Sequence, residues 1–205
     1  MITMEEIFEE IKDSGGMTPS RRLRDIAGRF PERIAFRDKQ FGIWNEISYG
    51  QFWTEVNYVG CALNFFGVGK TDKVAIHSEN RPEWLISDIG TQSIGAISVG
   101  LYPTNPPSEV KYLLGHSESQ ILFAEDQEQV DKALEVLDDL PKLKKIIYFE
   151  EKGLFRYKSE KLMKWEEFLE IGKNEYEKDR DFVNSRIDEI KSDDIALMIY
   201  TSGTT

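Results

Sequence analysis

Apolar residues at helical spacing open the chain, Met4, Ile7, Phe8 and Ile11 first and then Leu23, Ile26, Ala27 and Phe30, so two amphipathic helices are expected. Gly15-Gly16 separates them, and Thr18-Pro19 supplies an N-cap followed by proline in the first helical turn. The second helix should stop before Pro31. Short strand-like pieces at residues 33–37 and 46–49 flank a turn containing Gly42, which reads as a hairpin. A helix over residues 49–66 follows.

A regular alternation then begins: KVAIHS, a helical stretch over 82–94, AISVGL, a helix over 107–115, QILFAE, a helix over 127–140, and KKIIYF. The last apolar run, IALMIY, comes only after a long charged segment. These runs lack the polar alternation of a half-exposed strand and read as fully buried strands of a parallel sheet. The expected class is therefore α/β, a mostly parallel sheet with helices on both faces. Residues 150–194 differ in texture, rich in charge and poor in β-branched side chains, and should be mostly helix and loop. Trp165, Phe168, Leu169 and Gly172 form one helical stripe, Phe182, Ile187 and Ile190 another, and core packing explains both. The chain shows no internal repeat and reads as one unit.

Composition narrows the classes. With 40% hydrophobic and 31% charged residues the chain fits an ordinary globular domain and not a disordered, collagenous or disulfide-stapled one. A net charge of −11 argues against nonspecific binding to a nucleic-acid backbone or to anionic lipid. The single Cys61 cannot form an internal disulfide, which suits a reducing compartment, and its apolar neighbours make it a buried thiol. The opening MITMEEIFEEIKD is acidic and amphipathic, unlike a secretory signal. The most apolar window, residues 84–102, is broken by Asp88, Gln92 and several Ser and Gly, so no transmembrane segment is expected.

His77 and His116 are the only histidines, far apart and outside any metal-binding spacing, so each is read as structural. Gly67-Val68-Gly69 imitates a dinucleotide fingerprint, but Asp72 stands at the third glycine position and the turn precedes a strand, leaving a helix C-terminal turn as the reading. Asn80-Arg81-Pro82-Glu83-Trp84 follows a strand at the end where open α/β sheets place ligands. The plain alternative has Asn80 or Arg81 as helix cap, Pro82 in the first turn and Trp84 packed inward. Tyr102-Pro103-Thr104-Asn105-Pro106-Pro107 is a stiff connection, open to either a structural or a ligand-contacting role. The sharpest feature is the apolar run ending in Thr201-Ser202-Gly203-Thr204-Thr205. Four hydroxyls and a glycine can converge N–H and O–H donors on phosphate oxygens. A plain turn remains the alternative, and the Walker spacing is absent.

YTSGTT at residues 200–205 resembles the opening of the phosphate-loop signature of the AMP-forming adenylating superfamily, which includes acyl-CoA synthetases, luciferases and peptide-synthetase adenylation domains. PERIAF, WNEISYGQF, the helix with Cys61-Ala62-Leu63, GVGKTDKVAI, NRPEW, IGAISVGLYPT and residues 109–123 with their HSES agree in order and spacing. NRPEW followed by LYPT is most similar to the long-chain fatty acyl-CoA synthetase branch.

The resemblance implies a two-step ligation: a carboxylate attacks the α-phosphate of ATP to give acyl-adenylate and pyrophosphate, and the thiol of coenzyme A then displaces AMP. ATP and Mg²⁺ would serve the first step, where positioning and charge stabilisation dominate. Carried over by position, Thr201, Ser202, Gly203, Thr204 and Thr205 would hold the phosphates, with Tyr200 packed below them. The family signature continues with Gly-x-Pro-Lys-Gly, so residues 1–205 would be the N-terminal part of the AMP-binding domain. Within them, residues 1–30 would form leading helices and 150–194 a charged helical connection. By itself this part would be inactive, with neither a catalytic residue nor a metal ligand of its own. Implied partners are fatty acid, ATP and coenzyme A, without nucleic acid. The implied location is the cytoplasm, with peripheral contact at the inner membrane face allowed, and apolar faces left open would favour self-association. Another acyl, aryl or amino-acid adenylating ligase, or a non-catalytic interaction module, is the alternative.

Overall fold

Strand formation where continuous apolar runs meet, and helices where the period lengthens, yield two sheets in a computed structural model that describes residues 17–40 and 42–201. The helix expected around Met4, Ile7, Phe8 and Ile11 lies outside the described residues. Helix α1 (Pro19–Arg29) starts where the sequence places it, with the Thr18 side chain accepting from the Arg21 amide. Strands β1 (Ile34–Gln40) and β2 (Ile43–Ser48) form the antiparallel hairpin, turning at Gly42 with φ +83°. Helix α2 (Tyr49–Phe65) is launched by a reciprocal cap: the Gln51 amide donates to Ser48 Oγ, and the Ser48 amide to Gln51 Oε1. It ends at Gly67, φ +71°, a helix C-terminal turn as expected.

The remaining strands are β3 (Lys73–His77), β4 (Ile97–Leu101), β5 (Ile121–Ala124), β6 (Lys145–Tyr148), β7 (Leu162–Lys164) and β8 (Leu197–Ile199). They form one parallel sheet in the order β7-β6-β5-β3-β4-β8. Between them run α3 (Pro82–Ser93), α4 (Pro107–Ser117), α5 (Gln127–Glu135), α6 (Trp165–Lys178) and α7 (Phe182–Glu189). Alternate strand residues face opposite sides, as the pleat requires. Val74, Ile76, Ile121, Phe123 and Ile147 pack under α1, α2, α3 and α6, whereas Ala75, Val99, Leu101, Leu122 and Ile146 pack under α4 and α5. The class is α/β with helices on both faces.

Helix α2 sits at the centre of the first layer. A Cβ added at Gly90 of α3 would lie 2.4 Å from Val59 Cγ1, and one at Gly172 of α6 would lie 1.9 Å from the Tyr58 carbonyl oxygen. Both neighbours approach α2 at glycines because no side chain fits between. Cys61, on the side of α2 facing Val183 and Ile187 of α7, is buried, and burial pushes its thiol up to about 12, which makes it inert.

One expectation gains a detail and another needs correction. Residues 150–194 are mostly helix and loop as expected, with α6 and α7, and add one short strand, β7, which pairs with β6. The IALMIY run is not a fully buried strand. It forms the edge strand β8, whose Leu197 and Ile199 are 38% and 64% exposed, because among the described residues nothing covers their face of the sheet beyond β4.

Candidate functional site

The chain leaves β3 for α3 on one face of the sheet and leaves β4 for α4 on the other, so the carboxyl ends of these adjacent strands part and leave a crevice. Ser78, Glu79, Asn80 and Trp84 line one wall, Tyr102 and Pro103 the other, and Leu197 and Ile199 of β8 extend it over Gly100. The cleft measures about 310 Å³. Glu125, at the end of β5, fixes the first wall by accepting the Glu79 amide at 2.6 Å and Ser78 Oγ at 3.2 Å. One helical turn below Trp84, the buried Asp88 accepts from Gln92 Nε2 at 2.8 Å, and burial pushes its carboxyl up.

The opposite wall is held from beneath. His77, fully buried at the end of β3, donates Nε2–H to the Tyr102 carbonyl at 3.1 Å, and Lys132 of α5 donates to the Pro103 carbonyl at 2.7 Å. The carbonyl partner fixes the tautomer, since only a protonated Nε2 can bond to it. His77 Nδ1 is then a buried acceptor without a partner among the described residues. Burial first, then the Lys132 charge, push the imidazole down to about 4, so it stands neutral. The stiffness read from the prolines is thus reinforced by two side chains, and the structural reading of His77 holds.

Arg81, with Pro82 next, caps α3 by position but not by a side-chain bond. Its guanidinium instead donates to Glu83 at 2.7 Å and Glu150 at 2.9 Å, lies 3.8 Å from Glu125, and sits 5.4 Å over the Phe149 ring. One mostly buried cation thereby ties the carboxyl ends of β3, β5 and β6 together. Trp84 is half-buried, packed on the core by one side and lining the crevice by the other.

Strand β8 pairs with β4 in register Gly100↔Ile199, so the hydroxyl-rich segment begins beside the crevice. Thr201 is exposed, while Ser202, Gly203, Thr204 and Thr205 lie outside the described residues. Tyr200 turns toward α4, where its hydroxyl meets His116 Nδ1 at 2.7 Å and its ring meets Tyr112, itself stacked on His116. Sequence reading left this pair unconnected; Tyr112 and His116 stand one turn apart on a helix, and only the topology brings Tyr200 to them. Among the described residues no group of three or more His, Cys, Asp or Glu is placed to hold a metal ion.

The sequence model of one family, described as AMP-binding enzyme, matches residues 23–205. The chain belongs to that family. Within the AMP-binding enzymes it is 30% identical over 193 residues to a long-chain-fatty-acid–CoA ligase of Xenopus laevis, covering 92% of this chain and 25% of the ligase. A human long-chain-fatty-acid–CoA ligase is 28% identical over 188 residues, with the same coverage of 92% and 25%. The chain thus spans about a quarter of the length of these relatives. In fold it is similar to the anthranilate CoA ligase AuaEII solved with anthranoyl-AMP, with a TM-score of 0.69 at 22% identity, over 93% of this chain and 33% of that one. An acetoacetyl-CoA synthetase from Streptomyces lividans gives a TM-score of 0.64 at 18% identity, over 72% and 24%.

Proposed function

We propose that the chain is the N-terminal part of the AMP-binding domain of an ATP-dependent, AMP-forming long-chain fatty acid–CoA ligase. In the first step a fatty carboxylate oxygen attacks the α-phosphorus and the bond to the bridging oxygen of pyrophosphate breaks. In the second the coenzyme A sulfur attacks the acyl carbonyl and AMP leaves. The role of Thr201, Ser202, Gly203, Thr204 and Thr205 in this reading is to donate N–H and O–H bonds to the β- and γ-phosphates. The observation that supports it is placement: the segment leaves β8 at the carboxyl end of a parallel sheet, beside the crevice between β3 and β4. The Mg²⁺ expected with ATP is assigned no ligand among the described residues. A cytoplasmic location belongs to the same reading, and no described helix is long and apolar enough to cross a membrane.

The test is pyrophosphate release by the full-length protein carrying this chain, with fatty acids of graded length. Release that depends on a long-chain acid is expected, and the 205-residue chain run alongside is expected to show none. No release with any fatty acid would overturn the reading, and release only with an aryl or amino acid would move it to another ligase of the family.

The open face of β8 carries a second expectation. Leu197 and Ile199 of β8 are exposed and line the crevice together with the half-buried Trp84. Contiguous apolar surface of this kind seeks a partner, so the 205-residue chain is proposed to self-associate. Sedimentation velocity that finds a clean monomer at high concentration would refute this.

A further inference from the structure

Phe155 is 80% exposed, more than any other large hydrophobic residue described, although the turn that carries it is tightly built. The Tyr157 amide donates to the Leu154 carbonyl, so Phe155 and Arg156 are the two central residues of a turn. Both flanks are anchored. Leu154 is buried in the core beneath α4 and α5, and the Tyr157 hydroxyl donates to Asp131 at 2.6 Å while accepting from Gln127 at 2.9 Å. Gly153 takes φ +86°, and a Cβ there would lie 1.9 Å from Gln127 Oε1. With both ends of the turn anchored, the Phe155 ring is presented to solvent.

The charge around this turn is opposite to that of the chain. Residues 152–164 carry Lys152, Arg156, Lys158, Lys161 and Lys164 against the single acid Glu160, in a protein of net charge −11. Lys164 is paired with Glu151 and Lys161 with the Leu143 carbonyl. Lys152, Arg156 and Lys158 are exposed and have no carboxylate partner among the described residues. Arg156 sits 5.3 Å over the Phe155 ring, placing one cation directly at the aromatic tip.

We infer that the 152–158 turn is a docking point for an anionic lipid surface, with Phe155 entering the acyl boundary and Lys152, Arg156 and Lys158 meeting lipid phosphates. The overall negative charge does not forbid this. Repulsion between the rest of the protein and the bilayer is screened beyond about 8 Å at physiological salt, while the three cations act at contact. A protein partner fits the turn less well, because a stable interface needs about 800 Å² per side around an apolar centre. Here the exposed residues flanking Phe155 are all polar. On a bilayer an inserted apolar group and nearby cations are two signals whose contributions add. The ligase reading also allows peripheral membrane contact, but this inference rests on the turn's own residues, and vesicle binding and pyrophosphate release test the two separately.

The test is flotation of the 205-residue chain with phosphatidylcholine vesicles made with and without phosphatidylglycerol. Binding is expected only with phosphatidylglycerol, and it should weaken as salt is raised. Lys152→Ser and Lys158→Ser should each weaken binding about fivefold, and Phe155→Ser about tenfold, with unchanged thermal unfolding because all three side chains are exposed. Ile43→Ser, removing an apolar side chain 68% exposed on the β1–β2 hairpin, should leave binding as it was. Equal binding to neutral vesicles, an unaffected Phe155→Ser variant, or an equal loss in Ile43→Ser would overturn the inference. So would failure to bind any vesicle, and capture by polyglutamate in that case would point to an acidic protein partner instead.

Discussion

Gly172→Ala is expected to cost about 3 kcal/mol of stability or more, at the upper end of what overpacking does. The reason is the identity of the obstructing atoms. The new Cβ would stand 1.9 Å from the Tyr58 carbonyl oxygen and 2.6 Å from its carbon. A flexible side chain could move aside, but this is the backbone of a helix in the middle of the core. Relief requires α6 to shift away from α2, and α6 carries Trp165 and Phe168, which close over Phe123 and Phe149. Phe149 in turn supports the Arg81 guanidinium, so the displacement should propagate to the crevice. Urea unfolding followed by circular dichroism reads the effect. Gly28→Ala is the control, since a Cβ there meets no atom of the described residues within 4 Å, and in α1 alanine is favoured by about 1 kcal/mol. A Gly172→Ala protein as stable as the parent would show that the two helices are not in fact this close.

Much of this architecture is legible in the chain because single segments carry their own signal. KVAIHS, AISVGL, QILFAE and KKIIYF announce β3 to β6 by continuous apolar runs, and Thr18-Pro19 marks the start of α1. What escapes is whatever depends on a distant partner. Leu162–Lys164 has too few residues and too many charges around it to read as a strand, and it becomes one only by pairing with Ile146 to Tyr148. Leu197 and Ile199 look as apolar as the residues of β3, yet the sheet order puts them at an edge. Arg81 reads as a cap alone until Glu150, 69 residues away, is brought beside it. Tyr200 and His116 are separated by 84 residues, and no local pattern links them. The hydroxyl-rich motif is visible as composition, but that the strand leading to Thr201 runs beside the crevice follows from strand order alone.

Acid should loosen the crevice before it unfolds the rest, through His77. Its imidazole is pushed down to about 4 from an ordinary value of 6.5, by burial first and by the Lys132 charge second, with the Tyr102 carbonyl and Glu128 opposing. Above pH 6.5 folded and unfolded chains both keep it neutral, so it contributes no pH dependence there. As pH falls below 6.5 the unfolded chain takes up the proton and the folded one refuses it until about 4. Stability is lost throughout that window, by about 3 kcal/mol at its lower end. Protonation would also put an N–H on Nδ1, a buried atom with no partner among the described residues, and leave a second cation near Lys132. The cheapest relief is for the Tyr102-Pro103 connection, held by these same two side chains, to detach. His77→Gln retains an N–H donor without the titration. Urea unfolding between pH 7 and 4 should therefore fall more steeply for the parent than for His77→Gln, whatever their stabilities at neutral pH. Amide exchange at Asn105, bonded to the Tyr102 carbonyl, should accelerate in the same range in the parent alone. Parallel stability curves for the two proteins would mean that His77 titrates without resistance, and the account of it as a neutral clamp would fail.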